Sequence, residues 1–213
     1  MDDNYKWVLD QRVKRTMESL ESNNMEAYYV KDEVELLKKL DRFLKSGDTV
    51  SVGGSMTLFE TGIIDYLNHK DVNFLNRYKE GITPAEVQEI YRNTFFADEF
   101  FVSSNAVTEQ GELYNVDGNG NRVAAMIYGP KTVIVIVGIN KIVKDLESAV
   151  NRIKAISAPA NAKRLNKNTP CTKVGYCMDC SSGERICNDY VLIKRQNQKG
   201  RIKVIIVGKE LGY

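Results

Sequence analysis

Histidine is almost absent from this chain, since His69 is the only one among 213 residues. A catalytic triad or dyad with an imidazole base therefore has almost nothing to build on, and the polar neighbours of His69 are typical of an exposed helix end. Long apolar runs are missing too, and none approaches the roughly 20 residues that a membrane-spanning helix requires. The acidic, polar start is followed by no apolar segment typical of a signal peptide, so we expect a cytoplasmic protein.

Cysteine is scarce as well, and its four residues all lie in one short stretch near the C-terminus. Without an export signal, such a cluster is more typical of metal ligands or redox groups than of structural disulfides. The spacing Cys-x5-Cys-x2-Cys-x6-Cys suits zinc or an iron–sulfur cluster, but it matches neither the bacterial ferredoxin run nor a zinc ribbon. The alternative is that some of the thiols are free or pair only on oxidation. Lys173 and Arg185 are expected to lower the pKa of the thiols. The predicted metal ligands are Cys171, Cys177, Cys180 and Cys187.

The chain also has little excess charge of either sign, since its formal net charge is only +2. The distribution is uneven, because residues 151–203 hold 12 Lys and Arg but only 3 Asp and Glu. Such a stretch indicates an anionic partner, a solvated surface, or a surface that faces an acidic part of the same chain. The chain has no basic–aromatic interleaving and no reader motif of nucleic-acid-binding proteins, so a zinc-stabilised nucleic-acid-binding or scaffold protein is the least favoured function.

The order of predicted helices and strands indicates the fold class. Helical spacing of apolar residues predicts an N-terminal helix within residues 1–24, and capped helices then alternate with short strands. The strand at 132–137 is apolar on both faces, as in a central strand that is covered on two sides. We therefore expect an α/β fold with a helix-covered, mainly parallel sheet. A helix is predicted over about 141–157, and the residues between strands 190–193 and 202–207 are predicted to turn a hairpin.

The first candidate ligand-binding segment is the turn after the strand at 49–52. Gly53 and Gly54 let backbone N–H groups approach a ligand, and the following helix N-terminus favours an anion. Ligands of open α/β sheets bind at the carboxyl ends of strands, where this turn is expected to lie. A tight strand-to-helix connection with Ser55 as the helix cap accounts equally well for the same residues.

The second candidate segment, residues 104–122, concentrates amide, carboxylate and guanidinium groups beside a predicted buried strand. Its many Asn, Asp and Gly residues make a simple hairpin turn the competing explanation. Glu109 is the predicted catalytic acid, base or nucleophile, and Arg122 can fork a carboxylate or phosphate. We therefore expect a small anionic ligand, a carboxylate or a phosphate. Its predicted site comprises Gly53, Gly54, Ser55, Asn105, Glu109, Asn115, Asp117, Asn121 and Arg122.

In this order, these segments resemble the LUD domain family, which is associated with bacterial lactate utilisation. The most specific stretch is 97–124, with Phe-Val-Ser-Ser-Asn-Ala-Val-Thr-Glu-Gln-Gly at its centre. The glycine turn at 52–55, the Gly-x-x-Lys-Ile-Val motif at 138–143, the Cys-x-x-Cys motif and the ending at 206–213 agree as well. The resemblance therefore covers almost the whole chain.

The resemblance implies a single domain over residues 1–213, with a cysteine-rich metal-binding segment at 168–190. It implies the NagB/RpiA/CoA-transferase-like fold, that of ribose-5-phosphate isomerase, glucosamine-phosphate isomerase and the CoA transferases. It further implies an accessory or ligand-binding subunit of a redox system that oxidises lactate to pyruvate. Such a subunit would have a four-cysteine zinc or iron–sulfur centre, for example a 4Fe–4S cluster, and partner subunits that carry iron–sulfur clusters.

The same resemblance leaves an enzymatic alternative open. Members of the wider superfamily bind phosphorylated sugars, CoA esters or nucleotides at the strand ends. An isomerase- or transferase-like enzyme that acts on a sugar phosphate or CoA ester would use Glu109 as its base or nucleophile. Some lactate-utilisation proteins fuse this domain to a ferredoxin-like module, for which the present chain is too short. A full oxidoreductase would therefore need other chains.

Overall fold

The computed structural model describes residues 2–213, in which strands and helices alternate along the chain. The strands are β1 Glu26–Val30, β2 Thr49–Val52, β3 Asn73–Leu75, β4 Glu99–Val102, β5 Ala106–Thr108, β6 Leu113–Asp117, β7 Thr132–Gly138, β8 Ile142–Val143, β9 Asp189–Ile193 and β10 Ile202–Val207. The helices are α1 Asp3–Ser22, α2 Glu33–Leu40, α3 Met56–Glu60, α4 Ile63–Asn68, α5 Pro84–Asn93, α6 Asn121–Ile127, α7 Leu146–Arg152, α8 Ala158–Arg164 and α9 Cys171–Val174.

Two sheets organise these elements. The larger is six-stranded, with the order β1-β10-β7-β4-β2-β3, and all of its neighbouring strands run parallel. The smaller has four strands in the order β8-β5-β6-β9 and contains both parallel and antiparallel pairs. The predicted α/β class with a helix-covered, mainly parallel sheet is confirmed, and the predicted N-terminal helix is α1.

The central strand β7 shows why the sheet needs a helix layer on each face. Its side chains alternate between two apolar clusters. Val133, Val135 and Val137 pack in the cluster that includes residues of α1 and α6, whereas Ile134 and Ile136 pack in the cluster that includes residues of α2, α3 and α4. All five side chains are fully buried. The continuous apolar run is therefore the signature of a strand that is covered on both sides.

The predicted hairpin between residues 190–193 and 202–207 is wrong, because the two strands belong to different sheets. β9 pairs antiparallel with β6, whereas β10 pairs parallel with β1 and β7. The burial of the strands gives the physical reason. β10 is buried along nearly its whole length, as a central strand is, whereas β9 is partly exposed along its length, as is typical of an edge strand.

The helix predicted from residue 141 begins later, at Leu146. The side chain of Asp145 accepts a backbone hydrogen bond as the helix cap, and Ile142–Val143 forms the short strand β8 instead. The helical path also continues beyond residue 157. A π-helical turn at Ile153–Ser157 joins α7 to α8, and it ends two residues before Pro159, whose ring nitrogen cannot donate to the helix ladder.

The polar, glycine-rich region supplies half of the smaller sheet, which the sequence patterns did not predict. β5 and β6 form an antiparallel hairpin that is closed by residues 109–112. Residues 118–120 instead connect β6 to α6, so Asp117-Gly118 and Asn119-Gly120 do not close a hairpin. Across residues 2–213 we find no helix that has both the length and the apolar character needed to span a membrane.

Candidate functional site

A polar cleft opens at the carboxyl ends of the parallel strands, where open α/β sheets commonly bind ligands. Its inner part lies beside the residues that follow β2, β4 and β7, and its outer part extends towards the cysteine-rich segment. We call these parts the inner cleft and the outer cleft. The inner cleft is lined by Gly54, Ser55, Met56, Ser103, Ser104, Asn105, Val116, Asp117, Arg122, Lys141, Asn161, Arg164 and Tyr213. Among the residues of the outer cleft are Arg77, Tyr78, Tyr91, Asn121, Arg164, Lys167 and Arg185.

The glycine turn after β2 makes room for the floor of the inner cleft. A Cβ atom on Gly53 would lie 3.0 Å from Val102 Cγ2 and 3.3 Å from Arg122 Cδ, so the absence of a side chain lets the arginine pass underneath. Gly54 and Ser55 line the cleft itself. Ser55 occupies the N-cap position of α3, as the cap interpretation predicts, but its side chain makes no capping hydrogen bond.

Arg122 holds several strand ends together at the bottom of the inner cleft. Its Nη1 donates to the backbone oxygen of Ser103 at 3.0 Å and to Asn115 Oδ1 at 2.6 Å, and its Nη2 donates to Asn105 Oδ1 at 3.2 Å. Asp117 Oδ2 lies 3.9 Å from its Nε. Burial lowers the pKa of Arg122, and Asp117 opposes that shift. The guanidinium therefore supplies positive charge to the cleft while most of its donors serve the protein.

Lys141 is the functional residue that the sequence patterns did not assign to a site. It is only 2% exposed, and its Nζ donates to Thr57 Oγ1 at 2.8 Å and to Ser103 Oγ at 3.0 Å. It forms no salt bridge with any residue in 2–213. Burial, followed by the charges of Arg152 and Arg122, lowers its pKa to about 7. The Gly-x-x-Lys motif after the central strand was the signal that could have identified it.

The walls of the cleft carry cations that have no carboxylate partner. Arg77, Arg164 and Lys167 take part in none of the salt bridges found in the described part of the chain. Arg77 lies over the ring of Tyr91, with 4.7 Å between Cζ and the ring centroid. The Tyr213 hydroxyl is buried near Arg164 and has no hydrogen-bond partner among residues 2–213. The cleft therefore offers unpaired charge and an unused polar atom to an anionic ligand.

The structure brings together most, but not all, of the residues predicted for this site. Gly54, Ser55, Asn105, Asp117 and Arg122 line the inner cleft, and Asn121 lines the outer cleft. Gly53 and Asn115 lie behind the cleft and support Arg122 from there.

Glu109 lies elsewhere, in the turn between β5 and β6. Its Oε1 is 3.0 Å from Arg12 Nε and its Oε2 is 2.9 Å from Arg15 Nη2, so the carboxylate pairs with two arginines of α1. Sequence proximity to Asn105 and Arg122 suggested a shared site, but the hairpin carries Glu109 away from them. We therefore do not place Glu109 in the cleft.

The four cysteines gather around one small pocket beside α8. All four thiols are free and half-buried. Arg185 crosses the segment, where its Nη1 donates to the backbone oxygen of Cys180 at 2.6 Å and its Nε to that of Cys187 at 2.8 Å. Within residues 2–213, no three Cys, His, Asp or Glu side chains are arranged closely enough to form a metal-binding group. The thiols are thus neighbours around a common pocket without forming a closed ligand shell.

The prediction that nearby cations lower the pKa of the thiols is wrong for Cys177. Burial raises the pKa of Cys177, while the backbone N–H of Asp179 and the charge of Lys154 only oppose that shift. The Asp179 N–H donates to Cys177 Sγ at 3.4 Å. Desolvation of the thiolate therefore exceeds the attraction of the surrounding charges at this position.

Comparison with one solved structure supports this architecture. A DUF162 family protein from Deinococcus radiodurans superposes with a TM-score of 0.54 at 14% identity, over 94% of this chain and 98% of that chain, and so shares the fold. Ribose 5-phosphate isomerase from Plasmodium falciparum gives a TM-score of 0.34 at 16% identity (53% of this chain, 52% of that chain). eIF2B beta from Chaetomium thermophilum gives 0.37 at 15% identity (55% and 44%). No curated protein matches the sequence. The sequence profile of the LUD domain matches residues 13–207, and the chain therefore belongs to the LUD domain family.

Proposed function

We propose that this protein binds a small carboxylate or phosphate anion in the cleft as an accessory or ligand-binding subunit of a redox system that oxidises lactate to pyruvate. The main support for an anion site is the set of cations that line the cleft and have no carboxylate partner in the described chain. These are Arg77, Arg164 and Lys167. Membership of the LUD domain family supports the connection with lactate utilisation. Both lactate and pyruvate are small carboxylates of the kind that such a cleft attracts.

The division of labour between the arginines supports this proposal. The Arg122 guanidinium donates hydrogen bonds to protein oxygens, so its positive charge is held in a fixed position at the floor of the inner cleft. The Arg164 guanidinium donates to the Asn161 side chain from Nε and Nη2, which leaves further donors available to a ligand. A guanidinium with free donors can hold a carboxylate or phosphate through two parallel hydrogen bonds. Arg164 is therefore the residue that we expect to bind the anion directly.

Calorimetric titration of the protein with L-lactate, pyruvate and inorganic phosphate tests the anion site. We expect at least one anion to bind and Arg164→Gln to weaken its binding by about 10-fold or more, because a charge-assisted hydrogen bond is lost. Arg42→Gln is the matched control, since Arg42 is an exposed arginine just after α2 and outside the cleft. If wild type binds none of the three anions, or Arg164→Gln binds as tightly as Arg42→Gln, the proposed site is overturned.

We further propose that Cys171, Cys177, Cys180 and Cys187 hold an iron–sulfur cluster or zinc. The support is their chemistry and placement, because four thiols line one pocket and soft thiolate ligands suit both centres. An iron–sulfur cluster would supply electron transfer, with iron–sulfur partner subunits as the other redox components, whereas zinc would supply structure alone.

The position of Arg185 supports a link between this centre and the anion site. Arg185 lines both the outer cleft and the cysteine pocket, and its guanidinium donates to two backbone oxygens of the cysteine segment. A ligand in the outer cleft would therefore lie next to the segment that carries the thiols. Such proximity is what a redox role requires of the two sites.

Metal content provides the test of the centre. The protein is purified without oxygen, and iron, sulfide and zinc are measured in wild type and in a Cys177→Ser/Cys180→Ser double variant. We expect a metal in wild type that the double variant loses. Zinc without iron, after anaerobic reconstitution, would contradict the electron-transfer role, and absence of any metal from wild type would overturn the centre altogether.

A further inference from the structure

Ser103 occupies the position directly after β4, at the edge of the sheet where the inner cleft opens. Its side chain lines the inner cleft although the residue is only 5% exposed. Its Oγ lies 3.0 Å from Lys141 Nζ, which is within hydrogen-bonding distance. Its backbone oxygen accepts from Arg122 at 3.0 Å, which holds the residue in place. A hydroxyl and an amine are therefore in direct contact at the bottom of the inner cleft.

The surroundings of Lys141 favour the neutral amine. Three charged groups face its amine. Arg152 and Arg122 add to the effect of burial and lower the pKa of Lys141, whereas Glu60 raises it by a smaller amount. The resulting pKa is about 7. A neutral amine can accept a proton, which an ammonium group at the ordinary lysine pKa cannot do near neutral pH.

We propose that Ser103 and Lys141 form a nucleophile–base pair that cleaves a carboxylic ester whose anionic end is held in the cleft. The pair has the two features that such chemistry requires, a hydroxyl in a cleft and a base within hydrogen-bonding distance of it. This activity goes beyond anion binding, and it rests on the proposed anion site for the orientation of the substrate.

The reaction proceeds in two balanced halves. In the first, the Ser103 hydroxyl proton moves to Lys141 Nζ while Oγ forms a bond to the acyl carbon. The ester bond then breaks, and the leaving alkoxide takes the proton back from the Lys141 ammonium. In the second, Lys141 takes a proton from water, the hydroxide attacks the acyl-Ser103 ester, and Oγ leaves with that proton, so that a carboxylic acid is released.

Ser104 provides a matched internal control. It is a neighbouring buried serine whose Oγ donates to the backbone oxygens of Ala106 at 2.9 Å and Tyr114 at 3.3 Å. The Ser103 hydroxyl also donates to a carbonyl group, the backbone oxygen of Ser104, at 3.4 Å, so the two serines differ in that only Ser103 contacts Lys141 Nζ. If burial beside the cleft were sufficient for reactivity, both serines would react alike.

Labelling with a fluorophosphonate probe tests the pair without knowledge of the natural ester. The Ser103 oxygen displaces fluoride from phosphorus, and mass spectrometry of the peptides locates the adduct. We expect labelling of wild type at Ser103 with no adduct at Ser104, no labelling in Ser103→Ala, and a loss of at least about 100-fold in rate for Lys141→Met. The labelling rate is expected to rise with pH through about 7, as Lys141 loses its proton.

Two further measurements make each outcome decisive. Lys141→Arg keeps a positive charge but cannot act as a base, so it is expected to label as slowly as Lys141→Met. Circular dichroism and melting curves establish that the variants are folded. Absence of labelling in wild type, or labelling that persists in Ser103→Ala, overturns the pair. Calorimetric anion binding by the Ser103→Ala protein is read separately, so that failure of the pair is distinguished from failure of the anion site.

Discussion

Burial of ionisable side chains is the dominant feature at the scale of single residues, and it occurs at both ends of β4. Ser103 and Lys141 meet after its carboxyl end, whereas Glu99 begins the strand at the opposite edge of the sheet. Glu99 is only 8% exposed, and one of its carboxylate oxygens has no hydrogen-bond partner in the described chain. Burial, followed by the charges of Asp48 and Asp98, raises the pKa of Glu99 to about 7.

Replacement of Glu99 by glutamine is expected to stabilise the protein at alkaline pH. Because the folded-state pKa of about 7 exceeds the ordinary 4.5, the stability that Glu99 contributes is complete below pH 4.5 and is lost as pH rises through 7. Glu99→Gln avoids that loss and is expected to be more stable than wild type by roughly 1–3 kcal/mol at pH 8. Urea titrations at pH 5 and pH 8 measure the difference.

The exposed Glu89 on α5 offers the control for this prediction. Glu89→Gln removes the same charge from a solvated position, so its effect on the free energy of unfolding is expected to stay small at both pH values. A Glu99→Gln protein whose advantage over wild type is the same at pH 5 and pH 8 would contradict the assignment of the loss to ionisation of Glu99.

At the scale of helices and strands, the close packing of α1 against the β5–β6 hairpin depends on one glycine. Gly111 lies in the hairpin turn with φ +76°, and a Cβ atom there would lie 2.5 Å from the backbone nitrogen of Leu20. Asn23, just after α1, donates from its side chain to the backbone oxygens of Gln110 at 2.8 Å and of Gly111 at 3.0 Å. The helix and the turn are thus in backbone contact, which permits no side chain at this glycine.

Gly111→Ala is expected to destabilise the protein strongly because it adds a backbone clash to left-handed strain. Gly81 is the matched control, since it has the same φ of +76° but open space around the added Cβ. We expect Gly81→Ala to cost about 1 kcal/mol and Gly111→Ala at least about 2 kcal/mol more. Thermal and urea unfolding of the two variants measures the difference. Equal losses in the free energy of unfolding would contradict the prediction, because they would show that α1 can move away from the added Cβ atom without destabilising the protein.

At the scale of the whole molecule, the cysteine-rich segment lies outside the apolar interior. None of the core residues of the three apolar clusters among residues 2–213 comes from positions 168–188. The parallel sheet, its helices and the smaller sheet therefore bury their side chains without any contribution from the four thiols. Whatever occupies the cysteine pocket contributes to this segment rather than to the fold as a whole.

Substitution of all four cysteines by serine is accordingly expected to leave the global fold intact. We expect the melting temperature to fall by less than about 5 °C, which corresponds to a loss of no more than about 2 kcal/mol for a chain of this size. Hydrogen exchange is expected to increase within residues 168–190 and to stay unchanged in β7 and β10. Global unfolding of the serine variant would show instead that the segment is needed for folding.

The sequence alone was sufficient for the fold class but not for the smaller sheet. Periodicity and capping residues act over a few positions, so α1, α5 and the apolar strand β7 could be recognised locally. The hairpin error at residues 190–207 has a different origin. Two strands that are close in the chain joined different sheets, and strand pairing depends on which partners bury each face rather than on the length of the connection.

In the candidate site, too, contiguous patterns could be recognised from the sequence, whereas contacts between distant residues could not. The sequence by itself determined the glycine turn at Gly53 and Gly54 and the clustering of four cysteines, because both are contiguous patterns. Only the tertiary structure separated Glu109 from Arg122 and placed Lys141 against Ser103, which lies 38 positions earlier in the chain. The physical reason is that a charge acquires its chemistry from burial and from the partners that surround it, and both are created when distant segments pack together.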